Sequence, residues 1–317
     1  MKAVIINQFG PPEELTMTEI DQPEINEEQV LVRIMSAGIN PVDTKVRAGT
    51  SGMSKRLKLP AILGWDMSGI IEKAGKKVTG FKAGDAVMGC IGFPGLGNAY
   101  AEFTIADPNV LSKKPNNISF DEAAAVPLAG LTAYQAINEH LQVTSGQKIL
   151  IQAAAGGVGH LAVQFAKLNG AYVSGTASEK NEKFLKSLGV DQFIDYKKEK
   201  FETKVSDPDA ALDAMGSDVL YRSITCVKRG GTVVCLPSST KDDPKAIELA
   251  KEHGVKLLWP MMHTDGAQMK IIAGLLEQKK LRVFVDKIFT LEQMVWAHKA
   301  VETHGTKGKV VVRIHDH

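Results

Sequence analysis

The chain has 317 residues, more than a single hydrophobic core usually serves, so two domains are expected. An apolar share of 44% and a charged share of 23% are ordinary for a globular protein, and a formal net charge of +2 gives no electrostatic case for nucleic-acid or membrane-surface binding. Cys90, Cys226 and Cys235 are widely spaced and form no CxxC pair, which argues against a disulfide framework or a cysteine zinc site.

No apolar run approaches the roughly 20 residues of a membrane span, and Met1–Ile6 is too short for the apolar region of a signal peptide. A cytoplasmic protein is expected.

Up to about residue 120 the chain reads as short β-rich segments: Ala3–Ile6, Gln29–Ile34, Ser68–Ala74, Asp85–Gly89 and Ala101–Ile105. Breakers at Gly10-Pro11-Pro12, Gly80, Gly84 and Pro94-Gly95 separate them. From Ser119 to Gln142 the pattern is helical, with Ser119 or Asp121 as N-cap. Strands and helices then alternate: strand Lys148–Gln152, helix Val158–Leu168, strand Tyr172–Thr176, helix Glu179–Leu188 and strands Gln192–Ile194, Ala210–Asp213 and Thr232–Leu236. A helix at Pro244–His253 and a strand at Val255–Leu258 complete the run, whose spacing predicts a parallel doubly wound sheet. Helical segments at Gln268–Gln278 and Leu291–Thr303 precede Lys309–Ile314, a β-branched strand expected to return to the first domain's sheet.

The turn Ala153-Ala154-Ala155-Gly156-Gly157-Val158-Gly159 lies between a predicted strand and a predicted helix. Such a turn presents helix-start N–H groups to a pyrophosphate. Gly156 lets the backbone approach the ligand and Gly159 lets the helix pack on the strand. Ala154 stands where the usual GxGxxG pattern has its first glycine.

An NAD site places an acid at the end of the next strand, on the ribose hydroxyls. Here that position falls near Ala177, followed by Ser178, Glu179 and Lys180. Ser178 and Lys180 suit a 2′-phosphate, so NADPH is the expected cofactor. Glu179 would repel that phosphate unless it faces solvent. Ser178 as a helix cap is compatible with either role.

Several ordered motifs carry a family resemblance: Ala37-Gly38-Ile39-Asn40-Pro41-Val42-Asp43, Pro60–Gly69 (PAILGWDMSG), Gly84-Asp85-Ala86-Val87, Tyr100-Ala101-Glu102-Phe103, Gly130–Tyr134 (GLTAY), the glycine turn and Gly308-Lys309-Val310-Val311. Across essentially its whole length the chain resembles the zinc-free quinone oxidoreductase branch of the medium-chain dehydrogenase/reductase superfamily. The resemblance implies an α/β protein: a GroES-like β-rich catalytic domain (1–121 and 260–317) and an inserted Rossmann NADPH-binding domain (122–259).

Zinc members of that superfamily have Cys after a Gly-Ile pair, His in a Gly-His-Glu segment and a later Cys or acid. The matching positions here are Asn40, Trp65 and Ala129, which are poor ligands or none. The eight histidines, His317 among them, show no ligand spacing, so no metal is expected.

Without a Lewis acid, simple alcohol oxidation is disfavoured. Quinones and α,β-unsaturated carbonyls remain, because their charge develops on an oxygen that hydrogen-bond donors can stabilise. Zinc-independent hydride transfer to such acceptors is therefore expected. A zinc-free alcohol or carbonyl oxidoreductase and a non-catalytic NADPH-binding sensor or nucleic-acid-binding protein are the alternatives.

The resemblance places Asn40 near the nicotinamide or the substrate, Thr132 near the nicotinamide-proximal part of the cofactor, and Ala155, Gly156, Gly157 and Val158 at the pyrophosphate. It places Ser178 and Lys180 at the 2′-phosphate, Tyr196 at the adenosine end, and Leu236 and Pro237 beside the nicotinamide. Tyr100 is read as a proton donor or a packed strand side chain, and Asp43 as a helix cap. A homodimer and a small-molecule quinone or enone are the expected partners; nucleic acid and membrane are not.

Overall fold

The computed structural model describes residues 1–316; His317 lies outside the described residues. Two compact units emerge, Met1–Leu131 with His263–His317, and Thr132–Met262. The sequence divides the chain at 122 and 259. Contacts divide it later at the first boundary because helix Phe120–Ala124 packs on strands Val30–Ile39 and Asp66–Ala74 of the first unit. Among the described residues no helix is long and apolar enough to cross a membrane.

The first unit is β-rich. Its larger sheet runs Val285–Thr290, Lys309–Arg313, Val30–Ile39, Asp66–Ala74, Ala86–Cys90 and Leu111–Lys113, with Phe103–Ala106 also paired to Val30–Ile39. As expected, the terminal strand closes back here, antiparallel to Val30–Ile39 with Val310 opposite Ile39. Asp66 lies opposite Gly38 on the other side. This register brings Lys309, Asn40 and Asp66 to one end of three neighbouring strands. A β-carbon on Gly38 would overlap the Ala124 carbonyl oxygen and stand 3.1 Å from Asp66 Oδ2, so glycine is required for that closure.

Helix Pro41–Arg47 starts at the same end. Proline occupies its first turn, where no N–H is needed, and the Asp43 carboxylate accepts the Asn40 backbone N–H at 2.6 Å.

The second unit is a six-stranded parallel sheet. Its strands are β1 (Lys148–Ile151), β2 (Tyr172–Ala177), β3 (Gln192–Asp195), β4 (Ala210–Asp213), β5 (Thr232–Cys235) and β6 (Lys256–Leu258). Their spatial order is β3-β2-β1-β4-β5-β6, the doubly wound arrangement in which ligands meet the carboxyl ends of the strands. Helices α1 (Gly159–Leu168) and α2 (Ser217–Cys226) follow β1 and β4. Leu150, Ile194, Phe201, Ala211, Leu220, Ile224 and Val233 form part of one buried cluster, and each large apolar side chain so buried contributes about 1.5–3 kcal/mol.

Two stretches depart from the sequence reading. The helix expected over 119–142 is interrupted: Phe120–Ala124 ends before Pro127, and Pro127–Gln135 passes into a π-helical turn at Ala136–His140. Proline has no N–H for a continuing helix ladder, which accounts for the break. Helix α2 was not expected at all; its N-cap Gly216 and its first residue Ser217 both have positive φ.

Candidate active site

At the carboxyl edge of the second unit's sheet, β1 leads through Gln152–Val158 into α1. Ala153 is left-handed (φ 50°), held by its N–H to Thr176 Oγ1 at 3.2 Å and by the Ala154 N–H to the Thr176 carbonyl at 2.9 Å. A β-carbon on Gly159 would overlap the Ala153 oxygen and stand 2.8 Å from Ala154 Cα, so only glycine lets α1 begin this close to β1. The Gly156 N–H turns back to the Ala153 oxygen at 2.9 Å. Among the described residues, the Gly157 and Val158 amides have no backbone partner. They are the donors a phosphate at a helix start would take.

Ala154, in place of the expected glycine, is wholly buried; its methyl lies where a β-carbon on Gly175 of β2 would come within 3.1 Å. The missing glycine is thus supplied by the adjacent strand.

Beneath the turn runs a buried polar chain. Thr176 Oγ1 donates to Gln152 Oε1 (2.7 Å), Gln152 Nε2 to Ser223 Oγ (3.1 Å) and Ser223 Oγ to Asp213 Oδ2 (3.1 Å). Asp213 Oδ1 accepts the Met215 and Gly216 N–H groups at 2.8 and 2.6 Å. Burial pushes the Asp213 carboxyl up, against these donors, which hold it down. The chain ties the glycine turn to the turn after β4, so both are fixed to one frame.

Where β2 and β3 end, Ala177 pairs with Asp195, and Ala177 is buried and neutral. Ser178 sits at the N-cap position, but its oxygen accepts from Asn181 Nδ2 at 3.4 Å rather than capping the backbone. Lys180 is exposed and Tyr196 is 57% exposed. Glu179 is drawn aside by Lys198 at 2.7 Å, which answers the repulsion expected of it. Leu236 and Pro237 follow β5, with the Leu236 N–H on the Asp213 carbonyl at 2.8 Å. Ala155, Gly156, Gly157, Val158, Ser178, Lys180, Tyr196, Leu236 and Pro237 therefore share the carboxyl edge of one sheet. Thr132 is half-buried in helix Pro127–Gln135.

The first unit holds Asn40 and Tyr100. Asn40 is 2% exposed; its Nδ2 donates to Asp66 Oδ2 at 2.9 Å, and its Oδ1 accepts from Lys309 Nζ. Lys309 Nζ also donates to the Ile39 carbonyl at 2.9 Å and stands 3.6 Å from Asp66 Oδ2. Asp66 Oδ1 accepts the Leu128 N–H at 2.6 Å. Burial pushes Asp66 up and Lys309 down, and each charge opposes the shift of the other.

Tyr100 is fully buried, so close to Gly64 that a β-carbon there would meet its ring at 2.5 Å. Its hydroxyl faces Asp43 and holds that carboxyl down, yet among the described residues neither the hydroxyl nor Asp43 Oδ1 completes a hydrogen bond. Its full burial favours the packed one of the two readings of Tyr100.

Family models match two stretches, an alcohol dehydrogenase GroES-like domain over residues 26–116 and a zinc-binding dehydrogenase over residues 188–312. A 2-methylene-furan-3-one reductase of Solanum lycopersicum is 34% identical, the match covering 98% of this chain and 79% of the relative. The chain belongs to the quinone oxidoreductase branch of the medium-chain dehydrogenase/reductase superfamily. Another relative, an NADPH-dependent alkenal/one oxidoreductase of Arabidopsis thaliana, is 32% identical over 98% of this chain and 79% of its own length. The solved structure of a Coxiella burnetii quinone oxidoreductase superposes with a TM-score of 0.94 at 38% identity, covering 99% of each chain.

At the superfamily's zinc-ligand positions this medium-chain member commits its side chains elsewhere. Asn40 is held by Lys309 and Asp66. Trp65 donates to the Gly95 carbonyl at 2.7 Å and meets Phe93 edge-on at 5.5 Å, and Ala129 offers only a buried methyl. Among the described residues no three or more His, Cys, Asp or Glu side chains group to hold a metal ion.

The residues that sequence reasoning missed are Asp66, Lys309, Gln152, Asp213 and Lys198. Two had a visible signal: Asp66 lies in PAILGWDMSG, and Lys309 is a charge that opens the β-branched run Val310-Val311-Val312.

Proposed function

We propose that this chain reduces quinones, or the C=C bond of α,β-unsaturated carbonyls, with hydride from NADPH and without a catalytic metal. The observation that carries the reading is the end of β2: Ala177 is neutral, Ser178 and Lys180 stand beside it, and Glu179 is neutralised by Lys198. A 2′-phosphate would find the Lys180 ammonium there, with the Glu179 carboxylate paired to Lys198. The enone and alkenal substrates named for the tomato and Arabidopsis relatives support the acceptor class.

When bound, the cofactor supplies hydride from its nicotinamide ring. The Gly157 and Val158 amides donate to its pyrophosphate, with Ala155 and Gly156 shaping the approach. Ser178 and Lys180 hold the 2′-phosphate, and Tyr196 covers the adenosine end. Thr132, Leu236 and Pro237 border the nicotinamide. Asn40 donates to the acceptor oxygen on which negative charge develops, a stabilisation that grows toward the transition state. Tyr100 and Asp43 brace the backbone that carries Asn40.

Free thiols at Cys90, Cys226 and Cys235 support a reducing, cytoplasmic setting. The outer edge of β6, unpaired among the described residues, supports a homodimer joined through that edge.

The test is NADPH oxidation with benzoquinone, naphthoquinones, alkenals and cyclic enones, with NADH as control and with and without a chelator. NADPH-preferring, chelator-insensitive turnover is expected. Equal use of NADH would overturn the cofactor reading, and tight NADPH binding with no turnover across the panel would favour a sensor.

A further inference from the structure

We propose that Lys309 and Asp66 are positioning residues of the reduction, fixing the Asn40 carboxamide so that one of its N–H groups remains for the acceptor oxygen. This rests on Asn40 acting as the donor proposed above. A carboxamide has two ends of nearly equal shape and opposite hydrogen-bonding character, one accepting oxygen and two N–H donors. Shape alone therefore does not orient it; charge does. Asn40 Oδ1 faces the Lys309 ammonium, which has only donors, and Nδ2 faces Asp66 Oδ2, an acceptor. Turning the amide over would set N–H₂ against an ammonium and a lone pair against a carboxylate.

The two charges are themselves held. The three donors of Lys309 have Asn40 Oδ1, the Ile39 carbonyl (2.9 Å) and Asp66 Oδ2 (3.6 Å) around them. Asp66 is fastened from behind by the Leu128 N–H at 2.6 Å. The side chains are 3% and 0% exposed, so neither charge reorients into solvent. A buried ion pair adds little net stability, because desolvation offsets the attraction, and an apolar pair of equal volume would fill the space as well. What an apolar pair would not supply is the orientation of Asn40. An ammonium at the amide oxygen also draws density from the nitrogen and strengthens the remaining N–H as a donor to a developing oxyanion.

The experiment is a double-mutant cycle on the full chain with NADPH and 1,4-naphthoquinone, using Asn40→Ala, Lys309→Met and the pair together. NADPH affinity and thermal midpoint are measured alongside. Each single variant is expected to lower kcat about a hundredfold, the size of losing one oxyanion donor. The double variant should be no slower than Asn40→Ala alone, because Lys309 acts through Asn40. Lys309→Arg should recover kcat to within about tenfold, and NADPH affinity should stay within about threefold throughout.

A structural role would instead multiply the losses in the double variant or show them in NADPH affinity, and either outcome overturns the proposal. Full kcat in Lys309→Met with a slow Asn40→Ala overturns it while sparing the role of Asn40. Full kcat in Asn40→Ala removes that role and the proposal with it. Should Lys309→Met not fold, Asp66→Asn, which keeps an oxygen for Leu128, enters the same cycle with the same expectations.

Discussion

Asp43 and His298 are buried titratable groups with opposite effects on stability, and removing either should expose the other. Burial raises the Asp43 carboxyl from 3.8 to about 7, supported by the neighbouring Asp66 charge and opposed by the Asn40 N–H and Lys309. Burial, with Arg47 beside it, lowers His298 from 6.5 to about 3. The folded protein holds its Asp43 proton where the unfolded chain has lost it, so this contribution is full below 3.8 and disappears as pH rises through about 7. His298 works the other way: the unfolded chain takes up a proton that the folded state refuses, so stability present above 6.5 is lost as pH falls toward about 3. Each slope is about 1.4 kcal/mol per pH unit, and over about pH 4.5 to about pH 6 the two nearly cancel. Relative to the parent, Asp43→Asn should gain about 2 kcal/mol across that interval and His298→Asn should lose about 2 kcal/mol. Urea unfolding of the three proteins at several pH values reads both differences directly, since all other groups are common to them. Parallel profiles for parent and variants would refute the assigned shifts.

Other perturbations test the cofactor side. Gly159→Ala forces a methyl onto the Ala153 oxygen, and should cost about 1–3 kcal/mol in thermal unfolding and weaken NADPH at least about tenfold by fluorescence titration. Lys198→Ala releases Glu179 from its 2.7 Å partner; NADPH should weaken about threefold to tenfold while NADH is unchanged, and equal effects on both would count against the 2′-phosphate assignment. Thr176→Val strands the Ala153 N–H and Gln152 Oε1, which should lower stability by about 2 kcal/mol in chemical denaturation.

Local patterns were legible in the sequence wherever a few consecutive residues decide them. The strand–turn–helix around Gly156 and Gly159, the β-branched Lys309–Arg313 strand and the alternation from β1 to β6 all follow from composition and period. What escaped depends on partners far apart in the chain. Lys309 and Asp66 meet only because two strands flank Val30–Ile39 in the register that sets Val310 and Asp66 at its end. Gln152 and Asp213 likewise join through Ser223 on a helix that was not foreseen. The sequence neighbourhood of Tyr100 likewise does not reveal that Gly64 lies against its ring.

The meeting of Ala154 with Gly175 has a wider bearing. A glycine in a phosphate-binding turn is commonly treated as a letter that must stand at a given position, but the physical demand is for empty volume between two strands. Either strand can leave that volume empty. Ala154 therefore marks an exchange of bulk across a strand pair, and a search along one segment alone would score as defective a turn whose geometry is whole. Changing Ala154→Gly should accordingly open a small void rather than repair a defect, and the space at this crossing belongs to the pair of residues together.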